Sequence, residues 1–400
     1  MKNINTFFSK QLFILAVFCF QITATFAQTR EIAGRVIDQI SMEGISGVLI
    51  VTEDQSSQTI TNEEGYFVLN VQMDGEILHF SHINYQSQQQ KANDTMSVKM
   101  ALANIELDEI LVFKKPLHEV FGTAFQNALK ISEKGDLYKT YVRQFNVVNE
   151  DKINVADGLV HFYVNKPSKT PLTDLIENRA FMNAGERDEE NSETETILMT
   201  LGDDFRDILK VGRAIAVITD ALQNTDMYEC TVRRKVDNDN TKIIVEFGPK
   251  EGLKKWKYFQ GYIVFNDEQT KVLEYKYQLA DKYKDNTKVI NLLIVKAQAH
   301  DIGGYAVFTD NIEGYHLFYK TSYIDMSIFR KKKGNFRLKS QVEVVVDELV
   351  KNVEAPKQKQ YKGNLFTQKS NYQTKFWKNR NIRPLSSKEE QILKQLEEKK

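Results

Sequence analysis

For most of its length the sequence consists of short runs in which apolar and polar side chains alternate, separated by clusters of Asn, Asp and Gly. Alternation places successive side chains on opposite faces, so it predicts strands with one buried face. Leu273, Tyr275, Tyr277 and Leu279 share one face of such a run, and Glu274, Lys276 and Gln278 share the other. Tyr141, Arg143, Phe145 and Val147 alternate in the same way. Further strands are expected over 158–164, 229–235, 242–247, 258–265, 288–297, 315–323 and 336–346, and Asn291 to Val295 reads as buried strand. Asp237-Asn238-Asp239-Asn240 and Asn266-Asp267-Glu268 supply hairpin turns. A meandering antiparallel sheet follows.

Two stretches carry helical spacing instead. Val120, Phe121, Ala124, Phe125, Ala128, Leu129 and Ile131 form a stripe over 117–133, with Pro116 suited to its entrance and Gly135 to its exit. Residues 196–223 hold a second, with Leu198, Leu201, Phe205, Ile208 and Leu209 on one stripe and an apolar run from Val211 to Leu222. The acidic run Asp188-Glu189-Glu190 before it reads as a solvated loop. Residues 117–375 are therefore expected to form an α+β domain, a large antiparallel sheet with a few helices on one face.

Residues 1–27 read as a secretory signal peptide: Lys2 and Lys10 precede an apolar run, and Thr25-Phe26-Ala27 ends it with small residues at the two positions a signal peptidase reads. The expected location is outside the cytoplasm, in the periplasm or at an outer membrane. Cys19 falls inside that segment, without the small residue a lipoprotein signal needs before it. Cys230 is left as a lone thiol, most simply a small core residue. Lys plus Arg and Asp plus Glu both total 54, so no net field draws nucleic acid. After the signal no apolar run has the length of a membrane helix.

Residues 28–103 contain strand-like runs at 31–37, 48–52, 58–61, 66–71, 77–81 and 95–100. In the turn Thr61-Asn62-Glu63-Glu64-Gly65, Gly65 takes positive φ at little cost and Asn62 closes a side-chain-to-backbone bond. Four motifs occur in order: Ile32-Ala33-Gly34-Arg35-Val36-Ile37-Asp38, Gly44-Ile45-Ser46-Gly47-Val48, Thr61-Asn62-Glu63-Glu64-Gly65-Tyr66-Phe67 and Leu78-His79-Phe80-Ser81-His82-Ile83-Asn84-Tyr85. Together they resemble the carboxypeptidase-regulatory-like domain of secreted envelope proteins and of starch-utilisation-type TonB-dependent receptors. The resemblance implies a seven-stranded prealbumin-like β-sandwich that serves as an accessory domain and is not a peptidase. Asn84 stands where that family usually has Gly, so positive φ is expected there.

Residues 104–116 then form a linker, in which Leu107-Asp108-Glu109-Ile110-Leu111-Val112 looks like the segment that precedes plug and barrel in those receptors. The helix that follows here excludes that continuation. Phe247-Gly248-Pro249-Lys250 and the run from Phe259 to Asn266 are similar to features of uncharacterised Gram-negative envelope proteins, and the strand succession is similar to the open half-barrel of lipoprotein carriers.

Chemistry-bearing groups are sparse. His79 and His82 lie three apart in a strand, which points their rings to opposite faces. Asp203, Asp204 and Asp207 form an acidic cluster that Arg206 or Lys210 can pair. Asp237-Asn238-Asp239 has Lys242 where a calcium loop needs Gly. No glycine-rich phosphate loop, nucleophile elbow or paired-Cys zinc motif occurs, and no cofactor is expected. A hydrolase would require distant groups such as Asp204, His161 and His300 to converge.

Tyrosines alternate along several strands: Tyr258 with Tyr262, Tyr275 with Tyr277, and Tyr315 with Tyr319 and Tyr323. They form either cross-strand packing pairs or an aromatic surface for an apolar or glycan ligand, and Tyr258, Tyr262, Tyr275 and Tyr277 are the expected binding residues. In the tail, 376–400, Ser386 and Glu389 form a capping box for a helix carrying Ile392, Leu393 and Leu396. Just before it Lys375, Lys378, Arg380 and Arg383 flank Phe376 and Trp377, so the tail either docks on the second domain or meets an anionic membrane face. The expected function is non-enzymatic binding in the cell envelope, with an envelope protein as partner. The rival is a lipid or lipoprotein carrier.

Overall fold

The computed structural model describes residues 30–72, 75–103, 113, 115–149, 152–181, 204–237, 240–253, 258–284, 287–292, 295–330, 334–357, 360–366, 369–371 and 383–398. The signal segment, most of the linker, the acidic run at 188–190, Leu198, Leu201, Asp203, Asn238, Asp239, Lys375, Phe376, Trp377, Lys378 and Arg380 lie outside the described residues.

Seven strands form the N-terminal sandwich: β1 (Arg30–Asp38), β2 (Leu49–Thr52), β3 (Gln58–Ile60), β4 (Tyr66–Val71), β5 (Ile77–His82), β6 (Tyr85–Lys91) and β7 (Thr95–Met100). One sheet runs β4-β1-β7 and the other β3-β2-β5-β6, with β1 and β7 parallel and every other pair antiparallel. Alternate residues of both sheets, among them Ile32, Val36, Ile50, Phe67, Phe80 and Val98, close a core between them. β6 has no apolar alternation in Tyr-Gln-Ser-Gln-Gln-Gln-Lys; it forms as a polar edge paired to β5.

Gly65 adopts φ +82°, and Asn62 Oδ1 accepts from the Glu64 and Tyr66 amides at 3.0 and 2.9 Å. Positive φ is not used at Asn84. The turn there is closed instead by the Asn84 amide donating to His82 Nδ1 at 3.2 Å, after a bulge between Phe80 and His82.

The second region is one antiparallel sheet of β8 (Asp136–Val148), β9 (Lys152–Val164), β10 (Leu172–Phe181), β11 (Tyr228–Asp237), β12 (Asn240–Pro249), β13 (Phe259–Asn266), β14 (Val272–Leu279), β15 (Ile290–Leu292), β16 (Val295–Asn311), β17 (Gly314–Phe329) and β18 (Phe336–Val350). Its order is β10-β9-β8-β18-β17-β16-β14-β13-β12-β11, with β15 paired to β16 outside that path. The chain thus meanders from β11 to β18, and β18 pairs with β8 to join the two ends of the sequence into one surface. The apolar run from Asn291 to Val295 is not one buried strand. It spans a hairpin in which Leu292 pairs with Val295 and Asn291 is exposed, because apolar side chains flank the reversal and hide it from pattern reading.

Helices α1 (Leu117–Ala128) and α2 (Gly212–Gln223) cover one face, burying Phe121, Phe125, Ile218 and Leu222 against β11–β14, β16 and β17. Over β8, β9 and β18 the same face is covered by a 3₁₀ turn, Phe205–Asp207, and by Leu365. Lys320, buried on β17, holds the loop between that turn and α2 by donating to the Ile208 and Lys210 carbonyls at 2.7 and 2.5 Å. Among the described residues the expected helix of 196–223 is thus a short turn and then α2, broken at 208–211. Asp204 caps that turn and pairs with Arg206, and Asp207 pairs with Lys210 at 2.8 Å.

Candidate functional site

On the face away from α1 and α2, the strand register aligns side chains into rows that cross the sheet. One row reads Tyr262, Lys276, Tyr305, Thr321, Glu343, Arg143, Asp157 and Arg179 from β13 to β10. A second, two residues along each strand, contains Val264, Glu274, Val307, Tyr319 and Val345. A third brings Gly303, Tyr323 and Gln341 together. The sandwich rests on the apolar members of the second row: Ile83 packs with Ile244 and Val264, and Ile60 with Val307, Phe318 and Val345. Lys235 and Lys242 add 2.8 Å hydrogen bonds to the His82 carbonyl and the Ser81 hydroxyl.

A cleft of about 460 Å³ remains over the first and third rows and reaches Tyr319 of the second. The sheet side offers Tyr262, Lys276, Tyr305, Tyr319, Thr321, Tyr323 and Gln341, and the sandwich side offers Ser46, Gly47, the 60–63 turn and His82. Its volume lies in the range of small-molecule sites. Gly303 lets the opposing Tyr323 ring lie across β16, since a Cβ there would come within 2.5 Å of that ring.

The tyrosine hydroxyls are tied into the wall. Tyr262 donates to Glu274 at 2.5 Å, Tyr305 also hydrogen-bonds Glu274, and Tyr319 donates to Glu343 at 3.1 Å. Burial pushes the Glu274 carboxyl up, against the pull of Tyr262 and Lys242. His82 is pushed down to about 4, first by burial and then by Lys235, Lys242 and Lys276, so it stands neutral in a positive environment.

Arg383 closes the remaining wall. It donates to Glu343 at 2.8 and 3.2 Å and to Glu389 at 3.1 Å, while Arg143 reaches Glu343 from β8 at 3.1 Å. Arg383 opens the segment that leads into α3 (Ser387–Glu398), whose Leu393 packs with Val155 and Phe181. The capping box is formed: the Ser386 amide donates to Glu389 at 2.7 Å and the Glu389 amide to Ser386 Oγ at 3.3 Å. The sandwich holds the same segment, because Asn62 Nδ2 donates to the Leu385 carbonyl at 3.0 Å and Ser387 Oγ to Glu64 at 2.8 Å.

Residues 32–112 match the family model of the CarboxypepD_reg-like domain. The N-terminal sandwich is a CarboxypepD_reg-like domain. No curated protein matches the sequence. Of solved structures, a lipovitellin described for its lipid–protein interactions is 10% identical, with a TM-score of 0.24, over 60% of this chain and 28% of that one. The chain therefore spans well under a third of that structure. MucB in complex with MucA(peri) is 6% identical with a TM-score of 0.17, over 60% of this chain and 99% of that one. A Bacteroides ovatus protein of unknown function is 9% identical with a TM-score of 0.12, over 80% and 96%. Geometric likeness this low carries nothing to the present chain.

The CarboxypepD_reg-like domain thus roofs the cleft, and the four tyrosines expected to bind are not brought together beneath it. Tyr258, Tyr275 and Tyr277 lie in the core under α1 and α2, where Tyr258 packs on Tyr228 and Tyr283 and Tyr275 on Phe125. Tyr262 alone of the four lines the cleft. For three of them the reason is parity: β13 turns its even-numbered side chains, Tyr262 and Val264, toward the sandwich, whereas β14 turns its odd-numbered tyrosines toward the helices; Tyr258 precedes β13 and packs on the helix side. Bulges at Leu273 and Phe318 break the alternation, sending Leu273 to the sandwich side and Tyr315 to the face opposite Tyr319. Tyr305, Thr321, Gln341 and the Arg143–Glu343–Arg383 cluster were not readable as a site, since only register unites them.

Asp204, His161 and His300 do not converge. His161 and His300 sit on β9 and β16 with three strands between them, His300 bonds Ser327, and none of the three lines the cleft. His79 lies beside Gln89 at 3.3 Å, and Cys230 packs at the helix-side core with its thiol pushed up by burial.

Proposed function

We propose that this chain is an exported, non-enzymatic binding protein of the cell envelope, in which the CarboxypepD_reg-like domain and the large sheet grip a ligand between them. The observation that carries the reading is the cleft of about 460 Å³ lined by Tyr262, Tyr305, Tyr319 and Tyr323. Export is supported by the signal-like residues 1–27 and by the usual setting of such sandwiches. Binding without chemistry is supported by Glu343, whose carboxyl is engaged by two guanidinium groups and held below the usual carboxylate range, which suits it to a structural role and not to taking up a proton. Residues 28–103 and 117–375 act as the two halves of the grip, and the tail 376–400 as its clasp.

A lipid carrier needs an apolar trough. The cleft instead mixes phenol rings with Lys276, Thr321, Gln341 and Arg383, which suits a ligand with both ring faces and polar groups. The test is native mass spectrometry of the full chain after incubation with a pooled envelope extract. Wild type is expected to retain a ligand of unaltered mass, and Tyr323→Ala, verified as folded by circular dichroism, to lose it. Retention by both proteins, or by neither, overturns the reading.

A further inference from the structure

We propose that the ligand of the cleft is a saccharide bearing a carboxylate, with the carboxylate paired to Lys276 and a sugar ring laid against Tyr305 and Tyr323. The inference rests on the binding reading above and gives it a chemical class. Three features point the same way.

The strands that line the cleft, β13, β14 and β16 to β18, are each paired on both sides. They offer no free backbone edge, so the sheet recognises its ligand through side chains and not by strand addition. The side chains offered are rigid rings. Tyr262 and Tyr305 are tied to Glu274, Tyr319 to Glu343 and Tyr323 to Asp301 at 3.4 Å, which leaves faces and edges, more than hydroxyls, to the occupant. Flat apolar faces ringed by hydrogen-bonding groups match a pyranose, which has apolar C–H faces and hydroxyl edges.

Hydrogen-bonding side chains also line the cleft. Thr321 Oγ1 is shielded from solvent without a hydrogen-bond partner among the described residues, and it lies beside Tyr305 in the same row. The Gln341 amide is in the adjacent row, opposite Tyr323.

The charge of the cleft is positive where it faces the ligand. Lys276 stands between Tyr262 and Tyr305 in the row, with Lys235 and Lys242 at the sandwich contact behind it. Their combined field is felt at His82. Of the nearby carboxylates Glu274 and Glu343 are already engaged, and Glu63 on the sandwich is the acidic side chain of the lining. A neutral sugar would leave the Lys276 ammonium unused.

The test is calorimetric titration of the full chain with digalacturonate and with its neutral counterpart, digalactose, at low and at high salt. Digalacturonate is expected to bind about tenfold tighter at low salt, with the preference shrinking as salt rises. Lys276→Gln, an exposed position that does not threaten folding, is expected to bring digalacturonate down to the affinity of digalactose. Equal binding of both sugars by wild type, or an undiminished preference in Lys276→Gln, overturns the inference. If neither sugar binds while the Tyr323-dependent ligand from envelope extract is still retained, the saccharide class is wrong and the binding reading survives. If that ligand is absent as well, both fall.

Discussion

Glu343 is 1% exposed and sits between the guanidinium groups of Arg143 and Arg383. Burial by itself would raise its carboxyl; Arg383 and Arg143 outweigh that and hold it below the usual carboxylate range. Arg383→Ala leaves Glu343 with Arg143 as its remaining cation and takes away the hydrogen bonds of Arg383 to Glu343 and Glu389, so it should cost about 1.5–3 kcal/mol in urea unfolding. Because the native carboxyl lies below the unfolded value of 4.5, its stabilisation is complete above about pH 4.5 and is lost as pH falls through the lower native value. Glu343→Gln should therefore unfold more easily at neutral pH and show a flatter loss of stability in acid. His82 has the same sign at higher pH. With a native value of about 4 against 6.5, the unfolded chain takes up the proton first, and stability falls as pH drops from about 6.5 to about 4. His82→Gln should remove that slope, as read from thermal midpoints across the interval; an unchanged slope would mean that the ring is not held neutral at the sandwich contact.

The tail segment is the element that joins the two regions most directly. Arg383 reaches the sheet, Leu385 and Ser387 reach the Asn62–Glu64 turn, and α3 packs against Phe181. A chain ending at residue 382 should lose amide protection in two places, the 61–66 turn and the Glu343 neighbourhood of β18, while β12 and β13 stay protected in hydrogen exchange. Protection lost evenly over the sheet would argue against a local clasp.

Elements with period-2 patterning or a capping box were legible: β4 and β7 fall at the expected residues, and α3 starts after its Ser386–Glu389 box. β6 was not, because an edge strand with solvent on its flanks needs no apolar residues. The β15–β16 hairpin was not, because its flanks are apolar. The helix stripe at 117–133 ends at Ala128, and Gly135, at φ +111°, serves the turn into β8 instead.

In the molecule as a whole, the site lay beyond the sequence for a reason that local patterning cannot supply. The chain shows which residues alternate, but the row from Tyr262 to Arg179 draws on strands separated by up to two hundred residues in the chain, as in the Arg143–Glu343 pair. Two bulges then exchange faces within strands whose alternation looked continuous. The sandwich motifs, by contrast, are local and carried the CarboxypepD_reg-like assignment from their residues alone.

The claim that the two regions hold a ligand between them is tested most directly by hydrogen exchange of the full chain with and without the pooled envelope extract. Slowed exchange is expected at 46–47 and 60–63 in the sandwich and across Tyr305 and Thr321 in the sheet, absent in Tyr323→Ala. Slowing confined to the helix side, around α1 and α2, would mean that the ligand does not sit between the two regions.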